Sequence, residues 1–427
     1  MRAEIIAVGT EVLMGEVINT NAAWISQQLA DWGIDVYYHV TVGDNPARIQ
    51  GVVRQALERS DLLIFTGGLG PTDDDLTVQT LADTFGVGLI SDPESEQRIR
   101  EYLTRLGRTV AASNMKQALK PADAHTLSND MGTAPGIAWD VSAYAQKPAL
   151  ILCFPGVPRE LKWLWPFAQL FIRQLQAQLG ETPTVLATHF MRFFGIGESV
   201  LAEQLQDLMA AASPTVAPYV GQGEVRLRLA AKATTRAEAE AQITPVRDEI
   251  LRRCGQYYFG EGDQSLEEAV AQLLVAQGKT VAVAESCTGG LVSSRLTDVP
   301  GSSAYTWLNM VTYSNAQKQA MLGVSPDDLT QHGAVSPQVA AQMAQGIRRV
   351  SGCDVGLSLT GIAGPDGGTD DKPVGLVWIG LDAANLSSPQ VARFLVNPRY
   401  SRQDIKTWFS QYALNILRLH LKAALSS

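Results

Sequence analysis

The sequence predicts an α/β protein built from more than one domain, and three observations carry that expectation. Its 427 residues exceed the size at which a single hydrophobic core keeps growing. Short apolar runs alternate with longer stretches of helical period, the pattern of a mostly parallel sheet covered on both faces. The texture of the chain also changes twice, near "GETPT" (180–184) and at "GEGDQS" (260–265). We therefore divide it into 1–180, 181–259 and 260–427.

The elements follow in order. "EIIAV" reads as a strand, 20–32 as a helix, "DVYYHVTV" as a strand, 46–59 as a helix and "DLLIF" as a strand before a loop and another helix. "ALILCF" (149–154) is a later buried strand, followed by an amphipathic helix over about 159–179. The middle block holds "VLATHFMRFFGI", a helix at 198–210, the alternating "EVRLRLAAKA" and a helix over about 236–253, a small α+β unit. Its residues 224–253 carry seven basic and five acidic side chains, and we see no exposed aromatic pair on a strand, so it reads as a connector. The third block opens with the helix "LEEAVAQLLVAQG" and the strand "TVAVAE", and it ends in a helix after "NPRYS". Ile405, Trp408, Phe409, Tyr412, Ile416 and His420 recur there at helical spacing and are expected in the core.

Composition narrows the function classes. Charged residues at 18% and hydrophobic ones at 46% are those of a folded globular chain. A net charge of −9 disfavours nucleic acid as a partner. The longest apolar run is far below a bilayer span, so no membrane partner is expected, and the start "MRAEIIAVG" shows no cleavage pattern. A cytoplasmic location follows. The four cysteines (Cys153, Cys254, Cys287, Cys353) show no C-x-x-C spacing, and the five histidines form no H-x-x-x-H pair. Any metal bound here is bound by oxygen.

"AESCTGG" (284–290) places Ser286 and Cys287 where a strand hands over to a helix. Ser286 suits a helix N-cap as well as it suits a nucleophile. The following glycines let backbone N–H groups turn toward an anion. "NMVTYSNAQK" then places Tyr313 at a strand end and Lys318 on the first turn beyond it. With no histidine nearby in sequence, neutral lysine is the available base, as in Ser–Lys hydrolases. Cys287, at a helix N-terminus, is the alternative nucleophile. In the first block, "FTGGLGPTDDDLT" (65–77) frees backbone N–H groups for phosphate, while Asp73, Asp74 and Asp75 beside it would repel one. A divalent cation resolves that conflict, and an Asp-rich helix cap is the other reading. No G-x-G-x-x-G follows the first strand, which argues against a dinucleotide-dependent dehydrogenase.

The set "AESCTGG", "VTYSNAQK", "HGAVS", "LTGIAGPDGG" and "KPVG" closely resembles the CinA-type nicotinamide mononucleotide deamidases over nearly all of 263–425. The resemblance implies Ser286 as nucleophile, with Lys318 and Tyr313 activating it, and nicotinamide mononucleotide as substrate. Lys318 must then be neutral, so burial should lower its pKa. The amides around Thr288, Gly289 and Gly290 are the expected oxyanion donors. Thr360, Gly361 and Gly364 are expected beside the substrate. Arg402 falls on the family's phosphate-binding arginine, with Arg399 as its rival. No cofactor is implied for this activity.

The first block resembles the molybdopterin-binding fold, and more closely the N-terminal domain of CinA, through "VGTEVLMGEVINTN", "VGDN", "TGGLGPTDDD", "NMKQA", "NDMGTAPG" and "FPGVPRE" over 4–165. This implies a three-layer domain acting as a metal-dependent ADP-ribose pyrophosphatase, with Gly67, Gly68 and Gly70 on the substrate and Asp44, Asp74 and Asp75 on a divalent metal. Leu69 stands where the molybdopterin-binding relatives have threonine, which weakens a pterin reading. The middle block resembles the family's KH-like connector but lacks a G-x-x-G clamp. The resemblance further implies a homodimer acting in pyridine-nucleotide salvage. The rival expectation keeps only the deamidase active and makes the first domain a pterin- or nucleotide-binding, competence-associated adaptor.

Overall fold

The computed structural model describes residues 1–221 and 223–424. The chain forms two compact units, one of residues 1–187 with 231–242, the other of 188–230 with 243–427.

In the first unit, strands β1 (Arg2–Val8), β2 (Asp35–Val42) and β3 (Leu62–Thr66) are followed by the short pair β4 (Leu89–Ser91) and β5 (Leu119–Pro121). Strands β6 (His125–Leu127), β7 (Gly136–Asp140) and β8 (Leu150–Phe154) complete a six-stranded sheet of order β2-β1-β3-β8-β7-β6. β2, β1, β3 and β8 are parallel, and β7 and β6 join antiparallel. Alternation along each strand feeds two cores. Ile5, Leu62 and Ile64 meet the helices Thr20–Asp31 and Pro158–Gln178, through Ile25, Leu29 and Leu164. Ile6, Leu63 and Phe65 meet the helices Pro46–Arg59 and Thr77–Phe85, through Ile49, Val53 and Leu81. Helices on both faces of a mostly parallel sheet make the three-layer domain that the sequence predicts.

A four-stranded antiparallel-edged sheet follows, of order β10-β11-β9-β12, from β9 (Val185–Phe193), β10 (Thr215–Val220), β11 (Val225–Ala233) and β12 (Tyr258–Glu261). The segment expected as one helix at 198–210 is two, Glu198–Gln204 and Gln206–Met209, separated at Leu205. β10 escaped sequence reading because Pro218 lies inside it, and proline argues against a strand.

The last sheet orders β14 (Thr306–Val311), β13 (Val281–Glu285), β15 (Val355–Gly361), β16 (Leu376–Ala383) and β17 (Gln390–Leu395) in that sequence. β13 pairs parallel with both β14 and β15, and β16 and β17 add antiparallel. The strand "VAVAE" is buried on both sides. Val281 and Val283 face the core shared with the helices Leu266–Gln277 and Arg402–Ala423, while Ala282 and Ala284 face Val339, Met343 and Ile347 of the helix Pro337–Ser351. On the last helix, Ile405 and Phe409 are core residues, Trp408, Tyr412 and Ile416 pack at its edge, and His420 is buried.

This topology decides where ligands can go. In both sheets one strand, β1 or β13, has its sequence successors on opposite sides, so a crevice opens at its carboxyl end. Ser286 follows β13 at that crevice, and Gly9 and Gly67 stand at the equivalent place beyond β1 and β3.

The helix Arg402–Ala423 is fixed by Arg418, which is 1% exposed. Its guanidinium donates to Tyr258 O at 2.7 Å, Gln256 O at 3.3 Å and Asn415 Oδ1 at 2.8 Å, and burial lowers its pKa to about 10. Replacing it by methionine strips donors from buried carbonyls, so Arg418→Met should lower the unfolding free energy by about 2 kcal/mol. Urea denaturation checks this, and an unchanged midpoint would count against Arg418 as an anchor.

Candidate active site

The turn after β13 is held by a residue that the sequence reading passed over. Glu285, fully buried, accepts from the backbone N–H of Gly290 (3.0 Å), Val292 (3.2 Å) and Ser293 (2.8 Å), and from Ser293 Oγ (2.6 Å). A carboxylate thereby satisfies the first amides of the helix Leu291–Asp298, where charge and helix dipole agree. The cap position itself is Gly290. The N-cap reading of Ser286 is thus corrected: it lies before the turn, half-buried, with its N–H on Leu359 O and its hydroxyl free of any capping duty.

Lys318 lies on the helix Asn315–Leu322, whose N-cap Ser314 accepts from Gln317 N. It is 1% exposed. Its Nζ stands 3.1 Å from Ser286 Oγ, 2.9 Å from Thr312 O and 3.2 Å from Tyr313 O. Burial pushes its pKa below the ordinary lysine value of 10.5. A neutral amine has two N–H donors and one lone pair. Two carbonyls can take the donors, and the serine hydroxyl can donate to the lone pair.

Cys287 is a different case. It is 6% exposed, and burial pushes its thiol up to about 12, so little thiolate exists near neutrality. Tyr313 is exposed, and its hydroxyl accepts from Arg402 Nη2 at 3.1 Å. Arg402 Nη1 donates to Gly364 O. Ser286 with Lys318, and Tyr313 with Arg402 and Gly364, are thus two contact sets joined through the backbone of Tyr313. Arg399 joins neither set, with its N–H on Asn397 Oδ1.

Other expected residues are placed differently. Gly289 N–H donates to Ser286 O and Gly290 N–H to Glu285, so those two amides are engaged. Both amides are committed within the turn, against the expectation that they serve as oxyanion donors. Thr288 is fully buried, and its hydroxyl has no partner. Thr360 is 1% exposed and donates to Ala334 O, which turns its hydroxyl into the fold. Gly361 is held by strand packing, since a β-carbon there would lie 2.6 Å from Leu376 O.

In the first unit, Asp44, Asp74, Asp75, Gly67, Gly68 and Gly70 line one cavity of about 570 Å³. The Asp44 carboxylate ties its loop to the one after β1, and Asp74 and Asp75 turn toward Thr72 of their own loop. Asp44 accepts from Thr10 N (2.9 Å) and Oγ1 (2.8 Å), and Asp75 from Thr72 N (3.0 Å). Asp74 is held below the usual carboxylate range, first by Thr72 and then by its own backbone N–H. The helix-cap reading fails here too, because the helix Thr77–Phe85 has no side-chain cap. Among the described residues no three Asp, Glu, His or Cys side chains gather closely enough to hold a metal without further ligands. Gly67 and Gly68 have backbone reasons of their own. Both have positive φ, and β-carbons there would meet Val8 O and Thr77 Oγ1.

Three family models match the chain: the CinA C-terminal domain over residues 263–421, the "Probable molybdopterin binding domain" over 4–174, and the "Damage-inducible protein CinA KH domain" over 188–260. A "CinA-like protein" of Gloeothece citriformis is 49% identical over 421 residues, covering 99% of each chain. Another, of Nostoc sp., is 48% identical over 382 residues, covering 89% of this chain and 88% of that one. A crystal structure of the competence/damage inducible protein CihA from Agrobacterium tumefaciens matches 38% of this chain and 98% of its own, with 38% identity and a TM-score of 0.35. No helix among the described residues is long and apolar enough to cross a membrane. The chain belongs to the CinA family, with a molybdopterin-binding-like N-terminal domain, a CinA KH domain and a CinA C-terminal domain.

Proposed function

We propose that the C-terminal domain is an amidohydrolase that converts nicotinamide mononucleotide and water into nicotinate mononucleotide and ammonia. The observation that carries this reading is the 3.1 Å contact between Ser286 Oγ and the buried amine of Lys318. Neutral Lys318 takes the hydroxyl proton as Ser286 Oγ attacks the carboxamide carbon. The carbonyl electron pair moves to oxygen, toward the amides of Cys287 and Thr288. Collapse of the tetrahedral species expels the amine, which takes the proton from Lys318 and leaves as ammonia. Water then attacks the acyl ester, with Lys318 again as base, and Ser286 is restored. Tyr313, held by Arg402, is suited to relay a proton to the leaving group.

We assign the first domain a metal-dependent ADP-ribose pyrophosphatase activity, giving AMP and ribose 5-phosphate. Without a protein cage, a small divalent ion is still held by one or two carboxylates together with phosphate oxygens, and Asp44 and Asp75 fit that donor set. When bound, such an ion supplies neutralisation of the pyrophosphate charge. The glycine-rich turn supplies backbone N–H groups, and the carboxylates orient the charged end. One observation favours a second reading, in which this domain binds a nucleotide or pterin as an adaptor: the absence, among the described residues, of a three-ligand metal cluster. Four free, buried cysteines suit the reducing cytoplasm where we place the protein.

Ser286→Ala should abolish ammonia release, while Cys287→Ala retains most of it and chelators leave it intact. The opposite pattern in the two variants would transfer the role to the thiol.

The activity should also follow the Lys318 amine. Because only the neutral form is a base, kcat/KM should rise with pH and level off below 10.5, the ordinary lysine value. A rise that persists through that value would remove Lys318 from the role.

For the first domain, added divalent metal should switch on cleavage of ADP-ribose by the full chain, and Asp75→Asn should lower rate and metal affinity together. Cleavage by Asp75→Asn at the unmodified rate and metal dependence would refute the bridging role.

A further inference from the structure

We propose that a second cavity, on the far side of the helix Arg402–Ala423 from Ser286, binds a planar heteroaromatic cation that carries no phosphate. Neither activity proposed above uses it. It shares no residue with the set of Ser286, Lys318, Tyr313 and Arg402.

The cavity lies within the second unit and has a volume of about 900 Å³, against about 570 Å³ for the one in the first unit. That volume suits a ligand of base to nucleoside size. Three pieces of chain wall it: the residues just after β9, the hairpin between β10 and β11, and the start of the helix Arg402–Ala423 with β17 beside it. On that helix Asp404, Trp408 and Tyr412 recur every four residues and form one stripe. Arg402, which reaches Tyr313, stands about 200° round the helix from Asp404. The two sites therefore use opposite faces of one helix.

The wall is aromatic. Five of its sixteen described residues carry rings, against 7% of the whole chain. Tyr412 is at the centre: it stacks on Phe394 with centroids 4.2 Å apart and planes 9° from parallel. Trp408 lies 5.7 Å from it at 33°, and Phe194 meets it edge-on at 5.7 Å. Core packing accounts for Phe194, which is 2% exposed, but not for Tyr400 at 46%. The hairpin closes on the indole through Gly223, at φ +83°, where a β-carbon would lie 3.4 Å from the Trp408 ring. Trp408 Nε1 and the Tyr412 hydroxyl form no hydrogen bond among the described residues, so two polar tips on this wall are left for a ligand.

Charge decides which ligand. Glu198, Glu224 and Asp404 line the cavity, and among the described residues no lysine, arginine or histidine does. Glu224 is paired with Arg192. Asp404 meets only the neutral Ser401 hydroxyl, at 2.6 Å, and Glu198 forms no hydrogen bond or ion pair among the described residues. Two carboxylates without a cation repel phosphate and attract positive charge. Each stands in the first turn of a helix, which suits its sign but leaves the rings around it unexplained. A flat cation satisfies both features, because ring faces attract cations and parallel rings extend a stack.

Binding to the full-length chain is measured by calorimetry with four probes. They are the 1-methylquinolinium cation, neutral quinoline of similar shape, the anion quinoline-2-carboxylate, and choline, a cation that is not flat. The methylquinolinium ion should bind about 3- to 30-fold more tightly than quinoline, the range of one cation–π contact, and the carboxylate should bind least. Trp408→Leu should remove most of that preference. Glu198→Gln, at an exposed position, should weaken the cation by about 2- to 5-fold and leave quinoline unchanged, which keeps the test open if Trp408→Leu fails to fold. Equal affinity for the cation and quinoline would overturn the proposal, as would no binding of any probe. Tighter binding of choline would make the cavity a cage for quaternary ammonium and overturn the planar assignment. Unmodified affinities in both variants would place the binding elsewhere.

Discussion

The Ser286 site depends on one buried amine. Lys318 is surrounded by two backbone carbonyls and one hydroxyl, and no carboxylate pairs with it among the described residues. An ammonium in that setting lacks the solvation that water gives it, and a neutral amine does not. The same environment that lowers the lysine pKa raises that of Cys287, so a single physical cause, burial, favours the neutral form of both groups. In the amidohydrolase reading proposed above, desolvation more than intrinsic reactivity selects the serine over the thiol.

Holding that amine in place is a matter of strand ends. Thr312 N–H bonds Glu285 O, and Ser286 N–H bonds Leu359 O, so β13, β14 and β15 all terminate in hydrogen bonds around the nucleophile. The Glu285 carboxylate then closes the turn from below by taking the amides of the next helix. The first domain repeats the logic at its own switch point with different furniture, a glycine turn and carboxylates in place of a serine and an amine. Two crevices of one topological kind thus present different functional groups.

The α/β architecture was legible because strands such as "LLIF" and "VAVAE" are apolar on both faces and short, and other helices start at side-chain caps such as Asn19, Asn45 and Ser265. Ser286, Tyr313 and Lys318 were legible as residue types at a strand end and on the next turn. What stayed hidden was direction. Glu285 reads as the polar end of a strand, and only the fold turns it forward onto residues 290–293. Thr360 reads as a ligand-side hydroxyl, yet it donates to Ala334 O, 26 residues away. In the first domain, spacing put three aspartates side by side, but consecutive residues on a turn diverge, and hydrogen bonds commit Asp44 to Thr10 of a neighbouring loop and Asp75 to Thr72 of its own.

The central claim is that Lys318 is an uncharged base at working pH. Carbon-13 NMR of lysine-labelled protein, with Lys318→Met identifying the signal, reads that charge directly. The account predicts that the Lys318 resonance titrates below the ordinary value of 10.5. A Lys318 signal that titrates at or above that value, with the other lysines, would contradict it.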